Sequence, residues 1–244
     1  MCFSVGASFT ASGILGIVGF LAFAKAPPRY RLFASIPLLF AAQQFAEGIV
    51  WLVLTGIPEG SLLRVPLFIM MAPIGLLARA SFKVPDHIIL IKTGSIITFL
   101  VFALVVWPTW IPLACRRFET SRRRRFIITG FLLLGVIIST ALLYGILAYG
   151  ATAAIVQGHI VYTVNTMLTD ISWLGVALYT LATVGPLLVS SLNYAYLLGG
   201  LIIISEIVAW RIWHISFVST WCFFAAVLSI IILAILPAKN SNHA

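Results

Sequence analysis

Seven stretches of this chain stay apolar for about twenty residues each, near 5–24, 33–56, 88–113, 126–149, 171–191, 194–213 and 215–236. A helix rising 1.5 Å per residue needs a run of roughly that length to cross the ~30 Å hydrocarbon core of a bilayer. Only 9% of the residues are charged, against ~25% in a soluble domain, so the chain lacks the polar surface that water would require. The fold class expected is an all-α integral membrane protein. It is a seven-helix transmembrane bundle, a single polytopic domain over 1–244, multi-pass in the cell membrane.

Charge placement sets the orientation. Placing the N-terminus outside and the C-terminus inside gathers Lys25, Arg29, Arg31, six arginines between Arg116 and Arg125, and Lys239 on the cytoplasmic side, ten of the fifteen basic residues. The stretch near 64–80 is apolar in its middle, but Arg64 and Arg79 bound it and Pro66 and Pro73 interrupt it. It is too short to span and reads as an interfacial or re-entrant segment. Counting it as a span would carry the arginine loop outside.

The net charge of +9 would suit nucleic acid if it were spread over a soluble surface. It is concentrated beside apolar runs instead, so no nucleic acid partner is expected. The Arg116–Arg125 cluster is a topology signal and a candidate contact for anionic lipid headgroups. The bilayer itself is the principal partner, and oligomeric state is not legible.

Several local features follow from residue type. Ser8, Ser12 and Gly16 recur every four residues on the first helix, a small-residue face that lets a second helix approach. WPTWIP (107–112) reads as an aromatic anchor at the membrane interface, and Pro186 as a kink in the fifth helix. Between the fourth and fifth helices, IVQGHIVYTV reads as two short strands around Gln157-Gly158, with His159, Val161 and Thr163 on one face.

The chemistry lies in the polar residues that interrupt the apolar runs. In QQFAEGIVW, Gln44, Glu47 and Trp51 share one helical face and Gln43 flanks them. An ionisable residue within a span costs at least ~2.5 kcal/mol on insertion scales, and it faces the bundle interior or a watery cavity. Glu206 repeats the pattern, with Trp210 and His214 following at steps of four. In this topology Glu47, Glu206 and Cys222 lie at similar depth below the outer surface, with His159 on the loop above. The expectation is one outward-facing polar cavity lined by Gln43, Gln44, Glu47, Trp51, His159, Glu206, Trp210 and Cys222, binding or transporting a small solute or cation.

Two other classes stand beside that one. A membrane-embedded enzyme, dependent on metal or on a thiol, would draw its ligands from Cys2, His159, His214 and Cys222, but HExxH, CxxC and GxSxG motifs are all absent. No cofactor is implied and no catalytic residue stands out. A structural or sensing subunit would use the same polar groups to hold helices together.

MCFSVGASF, QQFAEGIVW, VVWPTWIP, HIVYTV, LATVGPLLVSS and FVSTWCFFAA together resemble a family of bacterial and archaeal multi-spanning membrane proteins that open with MCFS, a domain of unknown function. The resemblance covers most of the chain except 58–87. It implies that Cys2, Glu47, His159 and Cys222 fall in recurring motifs, and it brings no reaction or ligand.

Overall fold

The computed structural model describes residues 4–56, 71, 87–164 and 173–237. Helix α1 is Val5–Lys25, begun by the Ser4 hydroxyl, which accepts from the Ala7 amide. Short turns at Pro28–Tyr30 and Arg31–Ala34 lead into α2, Ile36–Thr55. Helix α3 is continuous but has three parts: α-helical His87–Leu100, a π-helical section Val101–Val106, and α-helical Trp107–Phe118. Then come α4 (Arg122–Tyr149), strands β1 (Ala151–Val156) and β2 (His159–Val164), α5 (Trp173–Val189), α6 (Ala195–Ile212) and α7 (Phe217–Leu228), which is extended by Ile231–Ile235.

Six of these segments are long and apolar enough to cross a membrane, and α5, at 17 residues, is shorter. The reading of 64–80 as interfacial or re-entrant lies outside the described residues. Only Met71 is described there, buried against Ile49 and Ile91.

The small-residue face of α1 meets its neighbour at Ser12, whose hydroxyl donates to the Ala41 carbonyl, while Gly16 has open space beside it among the described residues. The closest approach of α1 to α2 is marked by Gly19 instead, where a Cβ would strike the Leu38 backbone. Another close approach is at Gly135 of α4, where any side chain would collide with the Pro108 carbonyl of α3.

The π-helical section explains a second set of contacts. Its wider turn leaves carbonyls open to side chains on other helices. Tyr179 of α5 donates to Ala103 O over 2.5 Å, and Ser139 of α4 donates to Val105 O over 2.9 Å. Before this section α3 packs on α2 and β1; after it, on α4, α5 and the turn ahead of α2.

Two sequence expectations change. In WPTWIP, Trp107 turns into the bundle: it is 3% exposed and stacked on Phe40 at 3.9 Å, while the half-buried Trp110 donates to the Leu32 carbonyl. The arginine stretch 116–125 is not a loop over its whole length. Arginine is a good helix former, so Arg116 and Arg117 finish α3, Arg122–Arg125 begin α4, and only residues 119–121 connect them.

The strands form an antiparallel hairpin in which Val156 pairs with His159. Gln157 and Gly158 both have positive φ, 51° and 78°, the pattern of a two-residue type I′ turn. Ile160 is fully buried and Tyr162 stacks on Phe99 at 4.4 Å, so the alternate residues turn their side chains into the bundle. The hairpin lies across the ends of α2, α3, α4 and α7. This is the hairpin end of the bundle; the arginines mark the other.

Candidate functional site

The polar residues of α2 are more deeply enclosed than their sequence implied. Gln43 and Gln44 have no exposure and Glu47 has 1%. Helical spacing puts Gln43 and Glu47 one turn apart, with Trp51 a further turn towards the hairpin end. Each points at a different neighbour. Gln43 Oε1 accepts from Trp107 Nε1 of α3 at 2.8 Å, and Glu47 Oε1 accepts from Ser219 Oγ of α7 at 2.5 Å. Gln44 lies beside Glu47, and the Cys222 thiol lies beside Gln43 and Glu47.

The hairpin covers this cluster of buried polar side chains, called the Glu47 chamber below. The Tyr162 phenol comes in from β2 near Glu47 and Cys222. Burial pushes its pKa well above the usual phenol value and the two neighbours push the same way, so it remains a neutral O–H.

Hydrogen bonding within the chamber is incomplete. Among the described residues, Gln43 Nε2, both polar atoms of the Gln44 amide, Glu47 Oε2, Trp51 Nε1 and the Tyr162 hydroxyl are buried without a hydrogen-bond partner. Burying such a group unpaired costs ~1–3 kcal/mol, and buried polar atoms otherwise find partners. Six such atoms on five residues, one of them the Glu47 carboxyl group's own Oε2, leave this cluster with spare donors and spare acceptors.

Glu206 is elsewhere. Its Oε1 accepts from Thr180 Oγ1 at 2.6 Å, and it lines a separate groove between α5 and α6, with Trp210. The one-cavity expectation therefore divides in two. Helix periodicity gives depth and face, but α2 packs on α1 and α3 whereas α6 packs on α5 and α7, so equal depth does not bring the two carboxyl groups together. His214 lies edge-on to Trp210 at 4.6 Å, and His159 edge-on to Trp213 at 6.4 Å. Cys2 lies outside the described residues. Among the described residues no three His, Cys, Asp or Glu side chains gather as a metal centre. Among the described residues the hairpin lies over these groups.

Ser219 and Tyr162 were not singled out from sequence. A serine among apolar residues of a helix is common, and only its spacing of three from Cys222 distinguishes it. Tyr162 alternates with Ile160, which is the signal that both face inwards.

At the opposite end, Glu119 is fully buried and holds the link between α3 and α4. Its Oε1 accepts from the Ser121 amide at 3.0 Å and its Oε2 from the Ser191 amide, between α5 and α6, at 2.8 Å. Arg125 donates to its carbonyl from Nε and Nη2. The six arginine side chains around it are exposed.

A family model described as "Family of unknown function (DUF6629)" matches residues 90–244, more than half of the chain. The chain belongs to that family. The DUF6629 match agrees with the resemblance drawn from the motifs in being a family without an assigned function. It takes in Trp107, the hairpin with Tyr162, Glu206, Ser219 and Cys222, and begins beyond Glu47. No curated protein and no solved structure matches the chain.

Proposed function

We propose that this is a seven-span, multi-pass protein of the cell membrane, with its N-terminus and hairpin outside and its arginines in the cytoplasm, and that the Glu47 chamber binds a small polar solute or cation, as a carrier or receptor would. The topology rests on the basic-residue bias. At 17 residues α5 is at the short end of the range for a span. The observation that supports the chamber reading is the set of six buried polar atoms, on Glu47 and four neighbouring residues, that have no partner among the described residues.

Their chemistry refines the class. Amide, indole and phenol donors outnumber the two acceptors, Gln44 Oε1 and Glu47 Oε2, that have no partner. That mix favours a solute offering both acceptors and donors over a bare cation, which would want oxygens alone. On this reading the hairpin is the cover that moves when the solute enters.

The arginine end suits anionic lipid headgroups. Arg122–Arg125 put four cations on the first turn of α4, where the helix dipole is already positive and favours a negative partner.

Thiol access tests the chamber. With Cys2→Ser and Cys115→Ala, Cys222 is the remaining cysteine. A small impermeant maleimide added outside intact cells should label it slowly, and Glu47→Ala should change that rate. If Cys222 is unreactive from outside in the folded protein, and Glu47→Ala leaves it so, the polar groups serve only to join helices.

A further inference from the structure

The groove that holds Glu206 differs from the Glu47 chamber in every physical respect. It lies between α5 and α6, is about 490 Å³ in volume, and is lined almost wholly by apolar side chains. That volume falls within the ~300–1,000 Å³ of pockets that take small organic ligands. Several of its walls, Trp173, Leu181, Leu188 and Ile207, are exposed on the outside of the bundle, the side that faces lipid.

Its length is set by α5. From Trp173 to Leu188 the groove runs fifteen residues, about 22 Å of helix. Trp173 and Trp210 lie towards the hairpin end, where an aromatic ring sits at headgroup level. Among the lining residues the polar feature is the Thr180–Glu206 pair, six residues and about 9 Å in from the end of α6 at Ile212. Thr180 donates to only one carboxyl oxygen of Glu206. The Glu206 side chain thus places an acceptor of negative character at the boundary between the aromatic mouth and the apolar length of the groove.

An aqueous solute has nothing to gain from such walls, and an uncharged lipid tail has no use for the carboxyl group. We propose that the groove binds a single-chain amphiphile with a cationic, hydrogen-donating head, an alkylammonium. The head meets Glu206 beneath the rings of Trp173 and Trp210, and the tail lies along Leu181 and Leu188. Charge complementarity selects the head, and the aromatic faces add a cation–π attraction.

The full-length protein in phosphatidylcholine vesicles provides the test. The probe is dodecylamine carrying a nitroxide at the chain end, compared with the matching nitroxide-labelled dodecanol, and the readout is quenching of tryptophan fluorescence. Because the ammonium adds a charge-assisted hydrogen bond that the hydroxyl lacks, the amine should saturate at about tenfold lower membrane concentration than the alcohol. Glu206→Gln should remove that preference. Leu188→Phe, which narrows the groove two turns of α5 beyond Thr180 and adds no tryptophan, should weaken saturable quenching by both probes. Equal quenching by amine and alcohol in the wild type would overturn the proposal. So would a preference that survives Glu206→Gln, or saturation unchanged in Leu188→Phe. None of these results bears on the Glu47 chamber, which uses other helices.

Discussion

The Ser219 hydroxyl donates to Glu47 Oε1 over 2.5 Å, fastening α7 to α2 across 172 positions of sequence. It is the direct tie between the carboxyl group and the helix that carries Cys222. Ser219→Ala should lower stability towards the upper end of the ~0.6–1.7 kcal/mol seen for hydrogen bonds between membrane helices, because Glu47 Oε2 already has no partner. Unfolding in mixed micelles of the two single variants and the double variant with Glu47→Ala measures the coupling. Strictly additive losses would mean that the bond contributes nothing of its own.

The orientation can be read with single cysteines in a background lacking the native three. Thr120 and Ala154 are both exposed, at the arginine end and on the hairpin respectively. In intact cells an impermeant maleimide should label Ala154→Cys and spare Thr120→Cys until the membrane is permeabilised. The reverse pattern would invert the topology.

Acid should loosen the arginine end. Burial raises the Glu119 pKa, but hydrogen bonds from Ser121 and Ser191 and the nearby Arg124 outweigh it, and the net shift is downwards. A carboxyl group whose folded pKa lies below its unfolded value of ~4.3 stabilises the fold fully above that value. The contribution is lost as pH falls through the folded value. Glu119→Gln should therefore be less stable than the wild type by a constant amount above about pH 5. The gap should narrow below about pH 4 as the wild type loses its charge. A gap independent of pH in unfolding titrations would show that the carboxylate charge is immaterial.

These elements were unequally legible in the sequence. The hairpin could be read because Gly158 supplies a positive φ without strain and because Ile160 and Tyr162 alternate with outward residues. Helices could be read from their apolar length. Their ends at the arginines could not, since charge marks where a helix meets water and says little about where its hydrogen bonding stops. The division between Glu47 and Glu206 was also hidden: position along a helix fixes depth, whereas the neighbour across the bundle is decided by packing at places such as Gly19 and Gly135. Trp107 went astray for a related reason, since an indole suits an interface or a buried acceptor equally well and Gln43 provides the latter.

Loosening the hairpin should open the chamber. Gly158 has φ 78°, which costs a residue with a Cβ ~1–2 kcal/mol. Gly158→Val should therefore speed maleimide labelling of Cys222, while Gln157→Asn, a better residue for this turn, should not. Unchanged labelling in Gly158→Val would mean that the hairpin is not the cover.

The π-helical section Val101–Val106 shifts the rotational phase of α3 between its two α-helical lengths. The length nearest the hairpin packs on α2 and β1, and the length after Val106 packs on α4 and α5. One rod thus belongs to two assemblies, the roofed chamber and the basic end, and it can keep each in register while the other shifts. If the roof lifts, the twist it imposes on α3 can be absorbed between Leu100 and Trp107 before it reaches the arginines.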